Sequence, residues 1–173
     1  VGASFLLASF VTDRAFMRSV HDWGYSLPTP GRLVAIAGRL IGLGVFAVAV
    51  AVGYLGPTTG YRNLAILVVW VGWWGGYVAS TYLVGNTWPT LNPFRTIASL
   101  LPSLDRRYPE RLGAWPSVAG LLVLIWIEVV SPLADDPRLL ATTIVAYTAI
   151  SVTGSVVYGA ETWFDRVDPI SRV

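Results

Sequence analysis

Between residues 33 and 160 the chain alternates long apolar stretches with short polar connections, and the stretches have no polar face. Four are about twenty residues long: 33–55 with Arg39 as its one charge, 64–85 with none, 113–134 with Glu128 alone, and 139–160 with none. A helix advances about 1.5 Å per residue, so about 20 apolar residues cross a hydrocarbon layer about 30 Å thick. A helix on a water-soluble domain turns a polar stripe outward with a 3.6-residue period. The run 64–82, LAILVVWVGWWGGYVASTY, is apolar or small almost all the way round. The pattern predicts an all-α integral membrane protein, a bundle of four full transmembrane helices in one region spanning 1–173, with the lipid bilayer as its partner. Residues 1–11 are apolar but too few to cross, and read as the second half of a fifth helix.

The helix exits repeat. Segment 64–85 is followed by Asn86, Thr87, Trp88 and then Asn92-Pro93-Phe94-Arg95; segment 139–160 is followed by Glu161, Thr162, Trp163, Asp165 and then Asp168-Pro169-Ile170. Each proline stops a helix from running on, and the residue before it is pushed to extended geometry, where Asn or Asp caps a new turn. Two readings are open. The exits are interfacial turns, or they pack together and line a cytoplasm-facing pocket with Asn86, Thr87, Asn92, Arg95, Glu161, Asp165 and Asp168. After the first exit, Phe94, Ile97, Leu100, Leu101 and Leu104 share one helical face and predict a short interfacial helix over 94–104 on the cytoplasmic surface.

Composition changes the picture little. Charged residues make up 13% of the chain and mean hydropathy is +0.60, against about 25% charged in soluble domains. All 12 basic residues are arginine, and there is no cysteine, so disulfides and thiolate metal sites are excluded within this chain. No continuous basic run points to nucleic acid. The arginines instead set orientation. Nine lie in the connections after the first, third and fifth segments, and only Arg62 and Arg138 in the others. Arginine is retained on the cytoplasmic side, so the protein is expected to be multi-pass in the plasma membrane, with the loops after the first, third and fifth spans cytoplasmic. Trp23, Trp88, Trp115 and Trp163 fall near the cytoplasmic boundaries, as an aromatic belt requires.

Glu128 is the costliest residue, because an ionised carboxylate in hydrocarbon needs a partner or water. It lies about 9 Å from the outer end of its segment. An ion pair with Arg62 or Arg138, an ion or proton path, and a protonated acid are the alternatives. His21, with Asp13 and Asp22, is too small a set for a zinc site, and no HExxH, Walker loop, GxSxG or haem-attachment spacing occurs. No cofactor, metal or catalytic residue is assigned. The chain begins at Val1 without a basic region and cleavage site for a signal peptide, and 168–173 stops where an element begins. It therefore reads as an internal piece of a longer polytopic protein, whose remaining helices would be its partners.

Residues 62–95, 108–116 (YPERLGAWP), 127–138 (IEVVSPLADDPR) and 161–173 (ETWFDRVDPISRV) resemble polytopic membrane proteins of haloarchaea and actinobacteria, many labelled fenitrothion-hydrolase-like. That resemblance implies organophosphate-ester hydrolysis and assigns no catalytic residue. Three functions follow as expectations: transport or permeation along Glu128 and the repeated exits, a membrane-bound hydrolase with ligands outside this chain, or a structural subunit of a membrane complex.

Overall fold

A computed structural model describes residues 31–83 and 85–172. Segment 1–11, Asp13, His21, Asp22 and Trp23 lie outside them. Every regular element among the described residues is helical. Helix α1 is Arg32–Leu55. Helix α2 is continuous but changes pitch: α-helical at Leu64–Ile66, π-helical at Leu67–Tyr77 and α-helical again at Val78–Leu83. Two short helices follow, α3 at Trp88–Leu91 and α4 at Pro93–Ala98. Then come α5 at Trp115–Val130 and α6 at Pro137–Tyr158. Short helices α7, Ala160–Arg166, and α8, Pro169–Arg172, are the last elements among the described residues. The four apolar segments of the sequence thus become α1, α2, α5 and α6, of which α1 and α6 are long and apolar enough to cross a membrane.

Two predicted boundaries are corrected. Segment 113–134 is helical only to Val130. The Ser131 backbone N–H and hydroxyl both donate to the Ile127 carbonyl, closing the last turn, and Pro132 cannot extend it. The expected helix over 94–104 stops at Ala98. Leu104 N–H and Arg106 N–H donate instead to the carbonyls of Val156 and Val157, at 2.7 and 2.9 Å. The loop therefore satisfies carbonyls that the end of α6 leaves unpaired. Leu100, Leu101 and Leu104 are left exposed.

One buried side chain ties α1 to α2. Asn63, at 0% exposure, caps α2 by accepting from Ala65 N–H at 2.8 Å. Its amide donates to the carbonyls of Val52 and Pro57, at 3.0 and 2.7 Å. Helix α1 also carries α3 across its surface. A Cβ on Gly42 would lie 1.9 Å from the Leu91 carbonyl oxygen, so only glycine permits that crossing.

The core is in two parts. Ile66, Leu133 and Leu140 cluster where α2 and α6 begin, while Phe94, Ala98 and Phe164 cluster among the short helices. Helix α5 packs chiefly on α8 and has no comparable contact with α2 or α6. A space is left between them.

Asn63→Ala removes three hydrogen bonds from a fully buried site. We expect it to cost about 2 kcal/mol, read as a lower midpoint of unfolding in detergent. An unchanged midpoint would show that the cap does not hold the hairpin.

Candidate functional site: a paired helix break beside a mid-bundle cavity

The repeated exits are repeated in three dimensions. Gly85 and Gly159 end the preceding helices with φ of +119° and +85°, a region that glycine enters without cost. Each is followed by a short helix, which has Thr87 at its N-cap position before Trp88 in the first copy and contains Thr162 and Trp163 in the second, and then by a buried Asx-Pro step. Asn92 Oδ1 accepts from Arg95 N–H at 3.0 Å. Asp168 Oδ2 accepts from Ser171 N–H at 2.8 Å. Both residues are almost wholly enclosed, at 1% and 0% exposure.

The two copies meet at Ser171. Its hydroxyl accepts from Asn92 Nδ2 at 3.1 Å and from Trp88 Nε1 at 3.3 Å, while its N–H holds Asp168. The Tyr147 hydroxyl also donates to Asp168, and the Ser151 hydroxyl lies 3.5 Å away. A carboxyl group buried this deeply needs its oxygens satisfied, and these groups do so.

The same contacts fix how far the exits fold back. Tyr147 lies about 16 Å along α6 from its Tyr158 end. Phe94 packs edge-on against Tyr147, at 4.9 Å between ring centroids, and against Phe46 in the middle of α1, at 5.8 Å. The exits therefore do not turn away at the bundle's edge. They return along α1 and α6 to the middle of those helices.

Beside this junction is a cavity of about 460 Å³. One wall is the π-helical part of α2, with Trp70, Trp73 and Trp74; α5 contributes Leu121, Leu124 and Glu128; α6 contributes Thr143 and Tyr147; Trp88 and Ser171 close the end at the junction. Trp73 stacks on Trp74 at 5.4 Å and meets Trp88 at 5.8 Å. π-Helical geometry is rare, and its usual single-turn form is frequent at functional sites. Gly72, Gly75 and Gly76 in this run have no side chains to crowd its wider turn. The indole N–H groups of Trp70 and Trp73 are buried without an acceptor.

Among the described residues, Glu128 faces this cavity without a counter-charge. The ion pairs among the described residues are Arg95–Asp165 at 3.9 Å and Arg107–Glu110 at 3.5 Å. Arg62 and Arg138, its expected partners, are exposed and do not pair with it. Since α5 ends at Val130, Glu128 lies in the last turn rather than deeper in the helix.

The sequence-derived candidates separate into groups. Asn86 lines the cavity and accepts from Trp88 N–H at 2.9 Å. The Thr87 hydroxyl donates to the Tyr77 hydroxyl at 3.3 Å. Asn92 and Asp168 are structural caps at the junction. Half-buried Arg95 pairs with exposed Asp165, and the Arg95 guanidinium lies 5.9 Å from the Phe164 ring. Glu161 is exposed and away from the cavity. Trp88 and Trp163 pack inward, Trp163 directly over Gly154, while Trp115 remains exposed.

Sequence reading missed Tyr147, Ser171 and the tryptophans of α2. The tryptophan spacing 70, 73, 74 with Tyr77 was a visible helical face, but nothing marked Tyr147 or Ser171. Among the described residues no three His, Cys, Asp or Glu side chains gather to hold a metal ion. In comparison with known proteins, no family model, curated protein or solved structure matches the chain.

Ser171→Ala and Asn92→Ala are expected to be non-additive. A double-mutant cycle on unfolding should return a coupling of about 1 kcal/mol. Zero coupling would mean that the two exits do not hold each other through Ser171.

Proposed function

We propose that the chain is a multi-pass integral membrane protein, with α1, α2, α5 and α6 as its spans, that passes a small molecule through the middle of the bundle. The observation carrying this reading is the pair of broken helices returning to mid-bundle beside an open, carboxyl-bearing cavity. Transporter sites are commonly framed by repeated, interrupted helices near mid-membrane, with irregular backbone buried in protein or lining a cavity. The buried Asx-Pro caps supply that protection here.

Surface character supports the bilayer setting. Only 6% of the most apolar window of α1 and 28% of that of α6 is buried, which supports a lipid-facing setting over an enclosed core. Leu33, Leu55 and Val129 are 82%, 87% and 78% exposed, an apolar surface that lipid tolerates and water does not. The packing of one exit on the other brings the ends of α2 and α6 to the same side, and their arginine-rich continuations support a cytoplasmic side for both.

The chain has no cysteine, so single introduced thiols report sidedness directly. An impermeant maleimide applied to intact cells should label Asp135→Cys and should reach Ser103→Cys only after permeabilisation. Labelling of both from outside would reject the topology. Liposomes carrying the chain should then release at least one of protons, small cations or neutral solutes faster than empty ones. Glu128→Gln should change that rate several-fold. Release matching empty liposomes for every solute would reject permeation.

A further inference from the structure

We propose that the mid-bundle cavity binds a lipophilic organic cation: an ammonium- or phosphonium-type centre on a bulky apolar body, its charge met by Glu128 and by tryptophan ring faces. The inference rests on the cavity being the binding site in the reading above. It adds the class of ligand.

Size and lining set the first limit. A volume of about 460 Å³ falls within the range of small-molecule sites, about 300–1,000 Å³. Leu121, Leu124, Leu140 and Ile144 demand apolar surface from an occupant. Charge sets the second. Among the described residues, Glu128 is the one acidic residue of the lining, no arginine or histidine lines the cavity, and Glu128 belongs to neither ion pair. Glu128 is half-buried there, and an incoming cation supplies the opposite charge that the described lining lacks.

Helix α5 adds to this field. Its last turn, which holds Glu128, contains no basic residue, and the carbonyl end of a helix carries partial negative charge that favours cations. The third limit comes from the rings. Trp70, Trp73, Trp88 and Tyr147 line the same space, and the faces of such rings attract cations, the basis of aromatic cages for quaternary ammonium groups. A bare metal cation is disfavoured, because hard cations need several oxygen ligands and the described residues gather no such set. An anion would meet Glu128 with like charge, and a neutral guest would leave it unpaired.

The test uses the whole chain in nanodiscs of zwitterionic lipid, with empty nanodiscs as baseline. Tetraphenylphosphonium is the probe, and quenching of tryptophan fluorescence is the readout. Tetraphenylborate has nearly the same shape and the opposite charge. The unaltered chain should bind the cation at least tenfold more tightly than the anion. Glu128→Gln should weaken cation binding at least tenfold and abolish the discrimination, and Trp73→Leu should weaken it several-fold.

Equal affinity for the two ions in the unaltered chain overturns the proposal, and that comparison needs no variant to fold. So does full cation affinity in Glu128→Gln. Loss of this proposal, with solute release still sensitive to Glu128→Gln, leaves the permeation reading standing. Charge-selective binding through Glu128 in a chain whose cysteine labelling contradicts the topology removes the topology and leaves this site.

Discussion

The hydroxyl and N–H of Ser171 hold two helix breaks to each other, and the rest of the interior depends on that join. Breaking a helix exposes carbonyls and amides that apolar surroundings do not satisfy. Asn92 and Asp168 each satisfy one new helix start, and each does so fully enclosed. Ser171 then takes the spare donors of Asn92 and of Trp88. The two caps are not equivalent. The amide of Asn92 both accepts and donates, so it bridges to the other copy. The carboxyl group of Asp168 only accepts when ionised, so it draws in Tyr147, Ser151 and the Ser171 N–H. An Asn on one side and an Asp on the other make a complementary join from a repeated motif.

The cavity is a consequence of that join. With the exits folded back between α1 and α6, α5 rests on α8 instead of closing against α2 and α6. The two apolar clusters lie toward either end of the resulting space. The π-helical pitch of α2 and its glycines allow several large rings to reach one side. Glu128 enters from the opposite wall, near the end of α5. Aromatic surface, a lone carboxyl group and a mid-bundle opening are thus brought together by three helices distant in the chain.

Much of the fold was legible because burial in an apolar setting is written residue by residue. The absence of a polar face along 64–82 and the stops at Pro93 and Pro169 each act locally, within one turn of helix; the end of α5 before Pro132 was missed, because the apolar letters run on past it. The repetition of Thr-Trp and Asx-Pro was legible for the same reason, as was the capping role of Asn92 and Asp168. The helix expected over 94–104 failed because its apolar spacing was local, whereas the carbonyls of Val156 and Val157 that draw Leu104 and Arg106 away belong to another helix.

What the amino-acid sequence determined alone was therefore the helical elements, their apolar character, their breaks and the residues able to cap them. Only the tertiary structure decided that the exits fold inward rather than lie at an edge, that Ser171 joins them, and that Glu128 stands among tryptophans with no arginine beside it among the described residues. Helix formation and capping are set by hydrogen bonds spanning three or four residues. The position of a side chain between two distant helices is set by packing, which a one-dimensional pattern records only as an apolar or polar letter.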